Sequence, residues 1–357
     1  MDKTIYIFTN SYKPVLGGIQ TVTSQVAETL HRRGKRVIVV ANLYPKTLRP
    51  YERIEGVSVW RLPFMEILSY WFLLLLFALR KPSAVYVHFP LSQAPYVVKL
   101  RKHFNFKLIT CFHGHDVLRY QEGEARDSKT YKNQYELVHQ SDAVTACSCY
   151  LARKVETTFS TTGVQAVYNG VELSRYSVQT EAPVEYPFPY IFAFGRLEAI
   201  KGFDMLIYAF SEMKGYDYIH LLIAGNGSQH DNLLALAKTT GVAERVHLIG
   251  RKTPAEVVQL SQYAITIVIP SFRESFGIVA LEALAARRPV IATRAGGLPE
   301  VMDERYGELV DPSVSSIKCG IEKTLQNEQT YHFDDVDEYL NMFTIDQMVD
   351  NYLKVIE

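Results

Sequence analysis

The stretch Ala264-Ile-Thr-Ile-Val-Ile269 is alternating and rich in β-branched residues, which reads as a buried strand. Within seven residues it gives way to a segment from about Phe276 through Ala286, where Ile278, Leu281 and Leu284 or Ala285 recur at helical spacing. A strand that feeds a helix through a short loop belongs to a parallel α/β sheet, and ligands of such sheets sit at the carboxyl ends of the strands. The connecting residues, Pro270-Ser-Phe-Arg-Glu-Ser-Phe-Gly, therefore occupy the position where chemistry is expected.

Two carboxylates flank that helix start: Glu274 precedes it and Glu282 lies about two turns in. The first backbone N–H groups, around Phe276, Gly277 and Ile278, lack intrahelical partners and carry the positive end of the helix dipole, so they suit a diphosphate. Gly277 lets such a group come close. One carboxylate is then free to accept hydrogen bonds from a sugar ring and the other from ribose hydroxyls. The same pair also reads as a capping Glu followed by a solvated helix Glu. The spacing resembles the E-x7-E motif of retaining glycosyltransferases of the GT-B group, family 4.

Other segments resemble the same family in the same order. Phe194-Gly-Arg-Leu-Glu-Ala-Ile-Lys-Gly-Phe203 follows the apolar strand Tyr190 to Phe194 and is similar to the family's G-R-L-x-x-x-K-G loop. There the basic pair grips the donor diphosphate, which implies that role for Arg196 and Lys201; a bidentate Arg and a point-charge Lys suit a leaving group that gains negative charge. Lys13-Pro-Val-Leu-Gly-Gly-Ile-Gln-Thr-Val22 follows a strand over about Ile5 to Thr9 and opens a helix reaching about Arg33. It resembles the first glycine-rich loop, with Gly17 and Gly18 admitting the donor phosphate or sugar across an interdomain cleft, although Gly-Gly before a helix is also an ordinary turn.

The strand Phe106 to Phe112 ends in His113-Gly-His-Asp116, similar to the family's H-G-x-D segment. The resemblance implies that the His113 carbonyl or imidazole lies near the transferred sugar, with His115 and Asp116 close by. A His-x-His-Asp cluster is also a candidate metal site, but no further grouping has ligand spacing and the family needs no metal. Asp142 to Ser148 reads as a strand ending in a helix-starting Ser, and Val167-Tyr-Asn-Gly-Val171 as a strand with an Asn-Gly turn. Gly296-Gly-Leu-Pro-Glu300 starts a further helix with Pro in its first turn.

The resemblance implies an α/β GT-B fold, two Rossmann-like domains facing a central cleft. The acceptor domain is expected over residues 1–172, a linker over 173–188 and the nucleotide-sugar donor domain over 189–343, with a helix at 344–357 crossing back onto the first. The implied reaction moves a hexosyl unit, with retention, from a UDP- or GDP-sugar to a hydroxyl of a glycan, glycolipid or lipid-linked acceptor. A GT-B epimerase, a phosphorylase and a non-catalytic nucleotide-sugar binder remain open beside it. A dinucleotide oxidoreductase does not fit, since Ala224-Gly-Asn-Gly-Ser-Gln-His230 puts His where the third glycine belongs.

With 357 residues and 48% hydrophobic content the chain can bury two cores. Its four cysteines form no CxxC pair, and Met1-Asp-Lys-Thr leads straight into a strand without a signal-type apolar region, which points to a reduced cytoplasmic compartment, while the resemblance implies neither cofactor nor metal. The net charge is zero, yet residues 1–172 hold 22 Lys and Arg against 13 Asp and Glu, and the remainder 16 against 25. The basic part includes Lys99 to Lys107 and the apolar run Ile67-Leu-Ser-Tyr-Trp-Phe-Leu-Leu-Leu-Leu-Phe-Ala-Leu79, which at thirteen residues is too short to span a bilayer and reads either as a core helix or as one that touches a membrane. A basic face beside aromatics favours an anionic membrane surface or anionic acceptor over nucleic acid, for which no motif is present.

Overall fold

The computed structural model describes residues 4–15, 17–63, 67–120, 126–326 and 331–355. The chain divides into two compact units, Met1–Gly170 together with Ile345–Glu357, and Val171–Thr344.

Among the described residues, the first unit is built on an eight-stranded sheet. Its strands are β1 (Thr4–Thr9), β2 (Arg36–Asn42), β3 (Tyr51–Ile54), β4 (Val57–Leu62), β5 (Pro82–His88), β6 (Lys107–Phe112), β7 (Ala143–Ala146) and β8 (Gln165–Ala166), in the order β3-β4-β2-β1-β5-β6-β7-β8. All neighbours are parallel except β3, which returns antiparallel on β4. The chain builds outward from β1 in one direction and then restarts at β5 on its other side. That reversal leaves a crevice at the carboxyl ends of β1 and β5, the place where open α/β sheets bind ligands. On one sheet face Tyr6 and Phe8 pack on Phe77 of the helix Ile67–Leu79, with Tyr6 and Phe77 ring centroids 4.4 Å apart.

The second unit repeats the device. Its strands β9 (Tyr190–Phe194), β10 (His220–Ala224), β11 (Val246–Leu248), β12 (Thr266–Ile269), β13 (Val290–Thr293) and β14 (Gly307–Val310) form a parallel sheet in the order β11-β10-β9-β12-β13-β14. Its reversal point lies between β9 and β12, the strands whose carboxyl ends carry the two motif loops. Both strands are buried on both faces, as continuous apolar runs in a parallel sheet should be.

Three sequence expectations change. The second unit begins at Val171, and Leu173–Tyr176, expected in the linker, forms a 3-10 turn packed on the helices Pro254–Tyr263 and Ile278–Ala285. Val167 to Val171 is neither a strand nor an Asn-Gly turn: the ladder on β7 covers only Gln165 and Ala166, Val167 N–H adds one last bond to the Ala146 carbonyl at 2.8 Å, and residues 167–170 run on without regular structure. After Gly296-Gly297 the chain makes only a 3-10 turn, Leu298–Glu300, where a helix was expected. The helix Ile345–Lys354 packs within the first unit, with Arg33 paired to Asp346 and Asp350 at 2.7 and 2.5 Å and the Tyr86 hydroxyl donating to the Tyr352 carbonyl at 2.8 Å. Residues 356 and 357 of that expected helix lie outside the described residues, as does Leu16 in the glycine-rich loop.

Candidate active site

The loop after β9 carries Arg196 exposed at its tip and then closes through a 3-10 turn, Ala199–Lys201, onto Gly202. Gly202 has φ 66°, and a Cβ there would stand 2.0 Å from the Pro270 carbonyl oxygen, so only glycine lets this loop lie against the end of β12. The two loops are stitched by Phe272 N–H donating to the Ile200 carbonyl at 2.9 Å. The result is that Lys201 Nζ donates to Glu274 Oε2 in an ion pair whose side chains are each 18% exposed. The backbone of Glu274 is held from behind by Gly297 N–H, which donates to its carbonyl at 2.9 Å. Residues 73 positions apart in the chain thus meet at the reversal point of the sheet.

Gly277 caps the helix Ile278–Ala285 with φ 108°, and a Cβ would strike Leu298 Cδ2 at 2.7 Å. The glycine is therefore required for backbone conformation and packing as well as for close approach of a ligand. Phe276 is buried and its ring lies 6.3 Å from that of Phe343, which anchors the helix start. Ile278 is the first helical residue, so its N–H has no acceptor within the helix.

Glu282 sits farther along this helix, half-buried beside Tyr176 and Arg175. Burial pushes its carboxyl up to about 7, opposed by the Arg175 charge. It is thus not the freely solvated glutamate that the sequence also allowed. Because the folded chain keeps a proton that the unfolded chain releases near 4.5, this group favours the folded state most at low pH, and the contribution is lost as pH rises to about 7. Glu282→Gln is uncharged at all pH values. Its melting temperature relative to the native chain should therefore rise between pH 5 and pH 8, as differential scanning fluorimetry would measure; a constant difference would show that Glu282 is not desolvated.

In the first unit Gly17 caps the helix Gly18–Arg32, and both glycines are exposed. The preceding loop is braced from below: Arg61, only 1% exposed, donates to the Lys13 carbonyl at 2.5 Å and to the Arg49 carbonyl at 3.0 Å while pairing with Glu52 at 2.5 Å. Lys13 pairs with Glu28 at 2.6 Å. His113 directly follows β6, and its ring Nε2 lies 2.9 Å from His88 Nδ1 at the end of β5. Asp116 folds back to accept from the backbone N–H of His113 at 3.0 Å and of Gly114 at 2.7 Å, while His115 is exposed. The His-x-His-Asp segment is therefore a capped turn whose side chains diverge. Among the described residues no three His, Cys, Asp or Glu side chains form a metal-binding group. Ser148 is a helix cap, its Oγ accepting from Leu151 N–H at 3.0 Å. Burial pushes Asp116 up to about 7 and His113 down to about 4.

Arg61 and His88 were not singled out from sequence. The signals were there: an Arg inside the apolar run Val57 to Leu62, and a His closing the apolar run Ala84 to Val87.

The sequence profile described as Glycosyl transferases group 1 matches residues 181–334, and the one described as Glycosyltransferase Family 4 matches residues 16–175. The chain is a family 4, group 1 glycosyltransferase. An uncharacterized glycosyltransferase of Methanocaldococcus jannaschii is 28% identical over 349 residues, spanning 90% of this chain and 89% of that protein. The fold is GT-B. It superposes on the sucrose-phosphate synthase of Thermosynechococcus elongatus with a TM-score of 0.81 at 18% identity, covering 99% and 98% of the two chains. Anabaena HepE in complex with UDP-glucose gives 0.76 at 18% identity, covering 99% of each chain. At such identities these solved structures speak for the fold alone.

Proposed function

We propose that this glycosyltransferase moves a hexosyl unit, with retention of configuration, from a nucleoside-diphosphate sugar to a hydroxyl of a glycan, glycolipid or lipid-linked acceptor. The observation that carries the reading is the meeting of Lys201 and Glu274 beside a helix start at the reversal point of the second sheet. A cation and a carboxylate side by side fit a ligand that presents phosphate oxygens next to sugar hydroxyls. Arg196, Lys201 and the amides around Phe276, Gly277 and Ile278 receive the diphosphate, Glu274 accepts from the sugar, and Glu282 accepts from the ribose. Gly17 and Gly18 give backbone access to the donor, and His113 contacts the transferred sugar. The preferred chemistry is a front-face displacement, in which the departing diphosphate is stabilised by fixed positive charge while its oxygen takes the acceptor proton.

UDP-glucose is the first donor to test, because HepE, which shares the fold, is recorded with it. Incubation with UDP-glucose and a hydroxyl acceptor library should release UDP and yield an α-linked product. Inverted product, or phosphate-dependent cleavage of a glycoside, would replace the reading. The same transfer should survive EDTA, since Arg196 and Lys201 supply the positive charge that a cation would otherwise provide. Loss of transfer in EDTA with recovery on adding a divalent ion would overturn that assignment.

A specific observation favours an acceptor carried by a membrane. The helix Ile67–Leu79 buries Leu73, Leu76 and Phe77, yet leaves Ile67, Leu68, Trp71, Leu75 and Leu79 between 59% and 75% exposed. Exposed Arg80 and Lys81 follow it, and exposed Lys99 and Lys102 lie on or next to the helix packed beside it. Among the described residues no helix is long and apolar enough to cross a membrane. An apolar stripe edged with cations instead suits shallow docking on an anionic bilayer, where each cation contributes about 1 kcal/mol. Phosphatidylglycerol vesicles should sediment the enzyme at low salt and release it at high salt, and Trp71→Glu with Leu75→Glu should lower the bound fraction about tenfold. Binding that ignores lipid charge and salt, or no binding, would point to a soluble acceptor.

A further inference from the structure

Arg61 stands on β4 opposite Ala41 of β2, and β1 lies on the far side of β2. Its side chain nonetheless reaches past β2 to the loop that follows β1, where Nη2 donates to the Lys13 carbonyl at 2.5 Å. Nη1 donates to the Arg49 carbonyl at 3.0 Å and meets Glu52 Oε1 at 2.5 Å. One guanidinium thus ties three segments together: the start of the glycine-rich loop, the stretch between β2 and β3, and β3 itself. Lys13 is held through its side chain as well, which pairs with Glu28 of the helix Gly18–Arg32 at 2.6 Å. Four residues separate Lys13 from Gly18, where that helix begins.

As a contribution to stability this arrangement is poor. Arg61 is buried, its Nε–H has no partner among the described residues, and Glu52, the carboxylate paired with it, is 28% exposed. Desolvating a guanidinium is expensive, and an apolar side chain of similar volume in such a place is often neutral or stabilising. What the guanidinium supplies is geometry. A planar fork with donors at fixed angles holds two carbonyls from different segments at one point, as a flexible ammonium or an apolar chain does not. Both carbonyls have water to return to, since Lys13 is half-buried and Arg49 exposed.

We propose that Arg61 is a positioning residue for the glycine-rich loop: by fixing the backbone of Lys13 it sets where Gly17 and Gly18 stand. The two glycines have no side chains to anchor them, and no side-chain cap closes the helix start. A Cβ built on Gly18 would meet nothing within 4 Å, so packing does not hold that residue either. The place of the loop is therefore inherited from its anchors, the helix on one side and Lys13 on the other. On the functional reading given above the loop admits the donor, so loosening it weakens donor binding. That last consequence rests on the reading; the anchoring does not.

Hydrogen–deuterium exchange of the full-length chain tests the anchoring without any substrate. Arg61→Met should melt at or above the native temperature. The peptide covering residues 11–18, in which the Val15 amide donates to the Tyr12 carbonyl at 3.2 Å, should take up deuterium about tenfold faster, and peptides from β5 and β6 should be unchanged. Arg61→Lys keeps a charge for Glu52 but has one nitrogen on a flexible stem, which cannot hold both carbonyls where the fork holds them. It should show the same faster uptake, and it answers the question if the Met variant does not fold. Native uptake over residues 11–18 in folded Arg61→Lys overturns the proposal. So does a lower melting temperature with faster uptake throughout the first sheet, which would make Arg61 a brace of the whole unit. Steady-state transfer from UDP-glucose then separates the anchoring from the functional reading. A KM for UDP-glucose raised about tenfold, with kcat largely kept, joins the two. An unchanged KM beside a loosened loop takes the glycine-rich loop out of the donor site and leaves the role of Arg61 standing.

Discussion

Lys201→Ala and Arg196→Ala are each expected to slow sugar transfer from UDP-glucose roughly 10²-fold or more, the scale of losing one donor aimed at a developing negative charge. Lys201 stands at the seam between the β9 and β12 loops and is only 18% exposed, so its charge is poorly screened by solvent and water replaces it badly. Arg196 is exposed, and among the described residues it makes no ion pair, which leaves its fork available to a phosphate. Lys201→Arg should not restore full activity, because a planar fork does not fit the place of a point charge paired with Glu274. Steady-state rates measured at saturating donor check both. Undiminished turnover in the two Ala variants would remove the diphosphate clamp.

The second large effect separates the carboxylates. Glu274→Gln should lower transfer by a similar 10²-fold while leaving UDP binding intact or tighter, because Lys201 loses the partner that competes with phosphate. Glu282→Ala should weaken UDP itself about tenfold or more, the loss of a hydrogen bond to a charged group. Isothermal titration of each variant with UDP and with UDP-glucose makes the comparison. Equal losses for both ligands in both variants would contradict the division of labour between sugar and ribose.

Much of this arrangement is legible in the sequence because it is local. Strand β9, the Gly-Arg-Leu loop, strand β12 and the helix start at Gly277 all lie within short windows where a period and a few side chains announce the element. The run Ile67 to Leu79 is a helix, but periodicity did not tell which of its apolar residues would find a partner. Leu73 and Phe77 meet the sheet while Trp71 and Leu75 do not, which depends on residues far away in sequence. The same limit hid His88 and Arg61, whose roles come from neighbours 25 and 48 positions away. The segment 173–176 looked like linker because it is polar, yet its 3-10 turn brings Tyr176 beside Glu282. Glu274 also acquires from tertiary packing what no local pattern shows, a backbone clamped by Gly297 and a side chain already paired.

That existing pair makes the free enzyme its own competitor. Any anion that reaches Lys201 alone leaves a partly buried carboxylate without its counter-ion. In the proposed roles an intact nucleotide sugar brings hydroxyl donors for Glu274 along with phosphate oxygens for Lys201, whereas the nucleoside diphosphate left after transfer brings only the latter. Re-forming the internal ion pair should then favour release of the spent nucleotide, so that the proposed site would be biased toward unreacted donor and would resist inhibition by its own product.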